Sequence, residues 1–411
     1  MRKSSHLTGP TGLSPSAAAA GCHGCGRSTA QGLLSTTRAR PLGSRRPPPT
    51  HSQMSGRRVG FCLSDKKRRR MNLEAFADFC AGHGVQVVEM DLTQPLPPQG
   101  PFDVIVHKLS DVIVEAEHDS QSQQLLANFQ SYVSAHPSTV LLDPLPAMTQ
   151  LLDRFASYRI MSKLHNSLRD WRICSPPYLK IHSAGDLSSI QQAVMTQGLG
   201  FPLICKTRVA HGSLSHEMCL IFGAGGLADV RPPCVLQSFV NHGAVLHKVF
   251  VVGDRHFCVE RPSLKNFPSG PCDRKTIFFN SHQVSKPESS SDLTSMDEQM
   301  PCLPPPSSEA VAALVRELRA QLGMALFGVD VIINIHTHTL TVIDINIFPG
   351  YEGVPHFFSS LLSHIKSVLD KQTSASPQVD GPQTDGPQAD DPPETKGDQI
   401  RSWAPDQTQL F

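Results

Sequence analysis

The sequence predicts a mixed protein, a parallel α/β unit followed by an α+β unit, and three observations carry that reading. From Arg58 to Leu164, strand-length apolar runs alternate with amphipathic helices, which is the pattern of a small parallel α/β unit. From Phe201 to Glu260, short apolar runs follow one another through turns, which suits an antiparallel sheet. Near the C-terminal end, LFGVDVIINIHTHTLTVIDINIFPGYEG (326–353) reads as two strands joined by a short polar loop.

The elements follow in order. VGFCLS (59–64) reads as a strand, with KKRRR (66–70) in the turn after it. A helix over 72–82 carries Leu73, Phe76, Phe79 and Cys80 on one side and stops near Gly84. VQVVEM (85–90), DVIVHK (103–108) and VLLDP (140–144) are further strands, with helices expected at 121–135 and 147–164. SPPYLKI (175–181) breaks this alternation and marks a boundary. The second unit has a helix near 185–197 and strands at 201–208, 218–222, 234–240, 244–253 and 256–260. Residues 262–308 form a long Pro- and Ser-rich insertion, basic at its start and flexible over 286–306; loops of that length are functional or disordered. A helix at 308–322 precedes the hairpin, and a last helix carries Phe357, Phe358, Leu361, Leu362, Ile365 and Leu369.

Composition narrows the class. A net charge of +1 over 411 residues gives no basic field for bulk nucleic-acid binding. Eleven cysteines, odd in number and mostly inside apolar runs, read as reduced intracellular thiols. Cys22-His-Gly-Cys25 lacks the second half of a zinc site. No apolar run approaches the ~20 residues of a membrane span. Residues 1–56 hold no acidic residue, since the first is Asp65. They read as a disordered extension, with an organellar transit segment as the minority reading. The DGPQ repeats after Lys371 read as a disordered tail.

The chemistry centres on the hairpin. Strand side chains alternate faces, so Asp344 and Asn346 share one face, and Asp330 joins them if the runs pair through His336–Thr339. Two carboxylates and an amide oxygen are hard ligands of the kind Mg²⁺ takes alongside substrate phosphates. A merely solvated polar face is the alternative. The metal reading is favoured because Asp is depleted in strands and paired carboxylates repel without a cation between them. FPGYEG then makes a sharp turn at the strand end.

No Walker A sequence occurs, and GAGGLA (223–228) has no acidic partner for a ribose in 230–253. Side-chain cations must therefore hold any phosphate. Lys206 and Lys248 stand inside apolar strands, where a lysine is costly unless paired or snorkelling. HGSLSH (211–216) is a small loop with a histidine at each end, able to fold over a phosphate or to serve only as a polar turn. Gln237 and Val240 lie where backbone groups can meet an adenine edge. Lys66 and Lys67 are expected as ligand contacts beside Lys108, with Arg68–Arg70 solvated. Such a set suits phosphoryl transfer to an anionic substrate.

HKLSDV (107–112), DPLPAM (143–148), LLDR (151–154), ICKTRVAHGSLSHEM (204–218), RPSLKNF (261–267), FFNSHQVSKPESSS (278–291) and DINIFPGYEGV (344–354) together resemble the inositol-tetrakisphosphate 1-kinase family, also called inositol-1,3,4-trisphosphate 5/6-kinase. The resemblance spans about 57–371, and several long motifs in order make it specific. It implies an ATP-grasp fold: disordered residues 1–56, a Rossmann-like pre-ATP-grasp domain over 57–165, an ATP-grasp domain over 166–371, and a disordered tail over 372–411.

The resemblance also implies roles. Lys67, Lys108, His216, Lys248, Asn346 and Gly350 would contact an inositol polyphosphate. ATP would meet Arg154, Lys206, the stretch Gln237, Ser238, Phe239, Val240, Asn241, His242, Gly243, Ala244, Val245, Leu246, His247 and Lys248, and then Ser263, Ser281 and Ser285. Asp330, Asp344 and Asn346 would hold Mg²⁺, two ions being expected, and Lys206, His216 and Asp344 would serve catalysis. The expected activity is reversible ATP-dependent phosphorylation of inositol polyphosphates by a cytoplasmic monomer, with nuclear access left open. A carboxylate–amine ligase and a non-catalytic inositol-phosphate scaffold are the alternatives. Phe61 and Cys62 stand where larger aromatics are expected, at positions that bind nothing.

Overall fold

The structure is a computed structural model and describes residues 56–295 and 303–375. The expectations for the N-terminal extension, the Cys22–Cys25 pair, the middle of the 286–306 insertion and the DGPQ tail lie outside the described residues.

The first layer is a parallel sheet. Its strands are β1 (Arg57–Cys62), β2 (Val85–Glu89), β3 (Val104–His107) and β4 (Val140–Leu142), in the order β2-β1-β3-β4. All four residues of β3 are buried, as expected of a strand covered on both faces. KKRRR is not a turn: Asp65–Met71 is helix α1, because Ser64 and Asp65 start a helix directly after β1. Asn72, at φ 52°, both ends α1 and caps α2 (Leu73–Ala81), its side chain accepting from the Ala75 N–H. That left-handed residue turns the chain so that Leu73, Phe76 and Cys80 face the core. α3 (Ser110–Glu115) and α4 (Ser120–Ala135) lie between β3 and β4. The single helix expected over 147–164 is two, α5 (Leu145–Thr149) and α6 (Arg154–Leu168), because Asp153 caps a fresh start by accepting from the Phe155 N–H. The boundary expected at 165/166 falls inside α6, which buries Phe155, Tyr158, Met161 and Leu164.

Two five-stranded sheets follow. β5 (Ile173–Cys174) joins the central sheet, and β6 (Tyr178–Ile181) joins the outer one. α7 (Leu187–Thr196) precedes β7 (Leu203–Thr207), β8 (Glu217–Ile221) and β9 (Cys234–Ser238) of the outer sheet. β10 (Val245–Val252) and β11 (Arg255–Pro262) belong to the central sheet. The insertion is partly ordered, adding β12 (Ile277–Asn280) to the edge of β8 and a short helix α8 (Ser281–Val284). α9 (Ser308–Leu322) runs from a Ser307 cap to a left-handed Gly323 at φ 64°. β13 (Leu326–Ile333) and β14 (Leu340–Ile347) form the expected hairpin, and α10 (Phe357–Ala375) closes the described chain.

The central sheet has the order β11-β10-β13-β14-β5, and the outer sheet β12-β8-β7-β9-β6. One core runs unbroken from Val59, Phe61 and Phe76 under the first sheet to Val329, Val331, Ile345 and the α9 and α10 leucines. The outer sheet has its own two cores, one per face. The central sheet is therefore anchored to the first layer, and the outer sheet touches this core through Val235 and Tyr178. All eight described cysteines are free thiols. Among the described residues no helix is long and apolar enough to cross a membrane.

Candidate active site

The hairpin register settles the geometry of the acidic face. Asp330 pairs directly with Asp344, so both side chains leave the same face of the central sheet. Asn346, two residues beyond Asp344, shares that face and stands opposite Gly328, which carries no side chain to crowd it. Lys248 pairs with Asp330 across β10 and places its Nζ 3.0 Å from both carboxylate oxygens. Asp344 accepts from the adjacent Ile345 N–H at 3.0 Å. Among the described residues no group of three or more His, Cys, Asp and Glu side chains gathers, so a metal here rests on two carboxylates and an amide oxygen. That donor set fits Mg²⁺, which takes few protein oxygens and leaves the rest to water and phosphate. Lys248 has to share or release Asp330 when an ion binds.

The outer sheet brings Lys206 to this face. Lys206 is buried at 4 % exposure and donates to the Ile343 carbonyl at 2.9 Å, beside Asp344. Its ammonium lies 5.3 Å from the centre of the Tyr158 ring. Burial pulls its pKa down to about 8 despite the opposing pull of Asp344 and Asp330. Tyr158 donates its hydroxyl to Gln237. Its periodicity on α6 reads only as core, which carries no sign that it sits by the lysine.

Arg154 is buried at 3 % exposure and aims at backbone rather than at open space. It donates to the carbonyls of Thr207 (2.7 Å), Val209 (3.1 Å) and Ser215 (2.9 Å), and so holds the HGSLSH loop in place. Its Nε is buried without a partner. The loop places His211 against Lys108 and Arg154; burial first, then these two charges, lower its pKa to about 4. His216 lies at the loop's end, its ring 5.6 Å from that of His282 and its Nδ1 3.5 Å from Ser281 Oγ. Partial burial and His282 hold its pKa below the ordinary imidazole value.

The stretch Gln237–Lys248 passes from β9 of the outer sheet into β10 of the central sheet, bridging the two. Many of its polar groups find partners elsewhere in the chain, whereas His247 Nδ1 is buried without a hydrogen bond. Ser238 Oγ accepts from the Gly200 N–H, and Phe239 donates to the Pro202 carbonyl. Asn241 and Phe267 exchange two hydrogen bonds, and Asn266 Oδ1 accepts from the His242 and Gly243 N–H groups. His242 sits between the Val240 carbonyl and Ser263 Oγ, at 2.7 Å from each. Gly243 and Ala244 turn the chain at positive φ, and Val245, Leu246 and His247 enter the sheet, with His247 buried. Ser281 opens α8 beside His216, and Ser285 follows the helix's last residue.

The FPGY turn receives the first layer's lysines. Phe348 and Tyr351 adopt positive φ, at 32° and 57°, and are held there by packing. Phe348 is 1 % exposed, and Tyr351 donates its hydroxyl to the Val251 carbonyl at 2.7 Å. Lys67 donates to the Phe348 carbonyl at 3.0 Å and also to the Pro349 carbonyl, with the Phe348 ring 3.9 Å away. Lys108 reaches the same Phe348 oxygen at 3.3 Å. Burial, then the charge of Lys108, holds Lys67 well below its ordinary pKa. Gly350 follows, with Glu352 folded over it.

Arg70 is exposed, as expected of it, but it also makes contacts that the charge run does not show. Its Nε lies 2.9 Å from Glu352 and its Nη2 3.4 Å from His282 Nε2. A bare charge run could not reveal this, because helix α1, not sequence spacing, decides which of the five cations turn inward. The structure thus gathers Asp330, Asp344 and Lys248 on one face of the central sheet, with Asn346 beside them and Lys206 on the adjacent Ile343 carbonyl. Lys67 and Lys108 meet at the FPGY turn, next to Gly350. A groove of about 810 Å³ between α2 and α10 is lined by none of these residues.

Known proteins resemble this chain over both of its units. Residues 58–148 match the inositol 1,3,4-trisphosphate 5/6-kinase pre-ATP-grasp domain, and 167–367 match the ATP-grasp domain of the same kinase. Relatives include inositol-tetrakisphosphate 1-kinase of Xenopus laevis, 51 % identical over 77 % of this chain and 80 % of its own length. The Danio rerio enzyme of that name is 52 % identical over 78 % of this chain and 81 % of its own. Inositol-tetrakisphosphate 1-kinase 3 of Arabidopsis thaliana is 34 % identical over 76 % and 85 %. The crystal structure of D-alanine–D-alanine ligase from Bacillus anthracis aligns at 11 % identity with a TM-score of 0.47, over 78 % of this chain and 99 % of that one, too distantly to bear on chemistry. The chain therefore belongs to the inositol 1,3,4-trisphosphate 5/6-kinase family of ATP-grasp proteins.

Proposed function

We propose that the chain transfers the γ-phosphate of ATP to ring hydroxyls of inositol polyphosphates: to inositol 1,3,4-trisphosphate at position 5 or 6, and to inositol 3,4,5,6-tetrakisphosphate at position 1. The observation that carries this reading is the convergence of Asp330, Asp344 and Asn346 on one sheet face with Lys206 above it and a second group of cations beyond the FPGY turn. A ligase acting on a carboxylate and an amine has no use for that second cationic group; a polyphosphate does.

In this reading ATP lies between the central and outer sheets. Asp330, Asp344 and Asn346 hold Mg²⁺, two ions in our proposal, which would neutralise charge on the transferring phosphate. Lys206 offers an ammonium already stripped of water, so its attraction for phosphate is strong. Arg154 acts through the loop it fixes, keeping His216 at the mouth. Lys67 and Lys108 turn from the Phe348 carbonyl to the inositol phosphate. No general base is needed for a loose in-line transfer, and because donor and acceptor oxygens are alike, the reaction runs in both directions. Product analysis after incubation with ATP, Mg²⁺ and inositol 1,3,4-trisphosphate tests this. Tetrakisphosphate is expected; ATP consumption with amino acids or peptides instead would point to a ligase.

A further inference from the structure

The strongest feature left over is the carboxylate of Glu352. Its side chain folds back over Gly350, so that a Cβ at Gly350 would collide with the carboxyl group. Arg70 meets it at 2.9 Å from the far side, and Arg70 in turn touches His282 at 3.4 Å. Arg261 donates to the Glu352 carbonyl at 2.6 Å and steadies the backbone. Around this carboxylate stand Lys67 and Lys108 on the adjacent Phe348 carbonyl, and His216 beside His282. Glu352 lends negative charge to Lys67, Lys108 and His282, and Asp111 answers Lys108 as well. Three parts of the fold meet here: α1 of the first layer, α8 of the insertion and the turn after β14.

We propose that Glu352 is an internal placeholder for a ring phosphate, filling a subsite built from Arg70, His282 and the bare backbone at Gly350. This rests on the kinase reading above and adds to it which residues grip one substrate phosphate and what must leave first. The Arg70 and Glu352 side chains are 41 % and 43 % exposed, so the pair is held weakly and opens readily. A phosphate dianion carries more charge than the carboxylate and matches the guanidinium fork with two oxygens. Removing the placeholder should therefore tighten substrate binding, whereas removing the arginine should loosen it. A merely structural ion pair would make both changes harmful or both neutral.

The test uses the full chain, with inositol 1,3,4-trisphosphate as probe, reading Kd by calorimetry and KM by turnover. Arg70→Ala should raise both constants about tenfold, the loss of one charge-assisted hydrogen bond, with KM for ATP unchanged. Glu352→Gln should lower both by up to about fivefold, the release of an exposed ion pair. The double variant should bind more tightly than Arg70→Ala alone but more weakly than Glu352→Gln, because Glu352 also faces Lys67, Lys108 and His282. Thermal melting checks that each variant folds, and Arg70→Lys should recover part of the loss. An unchanged or raised Kd in a folded Glu352→Gln variant overturns the proposal. Wild-type binding without turnover would instead refute the kinase reading, and the Kd ratios would still judge the placeholder.

Discussion

Lys206→Met separates stability from function at the centre of the site. Lys206 is buried, with its ammonium on one carbonyl and a pKa depressed from 10.5 to about 8. A depressed lysine penalises the charged folded state: the contribution to stability is present above the unfolded pKa of 10.5 and is lost as pH falls through about 8. Near pH 7 the full difference applies, and at 1.36 kcal/mol per unit it is about 3 kcal/mol. Methionine has similar length and no charge, so the variant escapes this cost but loses the bond to Ile343, worth about 1 kcal/mol. The expected net gain is about 2 kcal/mol near pH 7, read as a rise of about 5 °C in nucleotide-free thermal unfolding. The gain should vanish near pH 10, where the wild-type lysine is largely neutral in the folded state. In the same variant kcat/KM for ATP should fall at least about a hundredfold, since one charge-assisted contact to phosphate is lost from a water-poor site. Destabilisation near pH 7, or a gain that does not shrink with rising pH, would refute the reasoning.

Further outcomes follow from the same geometry. In the free enzyme kcat/KM for ATP should decline about tenfold per pH unit above about 8, as Lys206 loses its proton; a profile flat to about pH 9.5 would contradict its role. Arg154→Ala should cost about 3 kcal/mol in urea unfolding and expose the 211–216 loop to proteolysis, because several buried carbonyls lose their donor. Asp143, buried and accepting from the Ala325 and Leu326 N–H groups at 2.8 and 2.9 Å, joins the first layer to β13. Its replacement by alanine should destabilise by about 2–4 kcal/mol. Burial raises the Asp143 pKa to about 6, a contribution present below 3.8 and lost as pH rises through 6, so that deficit should be larger near pH 4.5 than near pH 7.

The sequence made the acidic face legible because strand alternation fixes which side chains share a side once two runs pair. Asp330, Asp344 and Asn346 needed only the hairpin. Lys206 was legible as an oddity, a charge inside PLICKTR, but the carbonyl it meets comes from the other sheet. Long-range orientation was not legible. Nothing local in the sequence shows that Arg154 grips backbone across a loop, or that the exposed Arg70 reaches Glu352 and His282. These contacts join residues that are, for Arg70 and Glu352, nearly three hundred positions apart, where no local pattern records the partner. Element ends failed where one residue did two jobs, as Asn72 does between α1 and α2. β12 escaped notice because it lies inside a segment whose Pro and Ser content reads as loop.

The central claim is that two adjacent strands supply the oxygens that hold a divalent ion beside the nucleotide. Electron paramagnetic resonance of Mn²⁺ titrated into the protein with ADP tests it most directly. The wild type should bind the ion, and folded Asp330→Asn and Asp344→Asn variants should bind it at least about tenfold more weakly. Equal Mn²⁺ affinity in all three proteins would contradict the account.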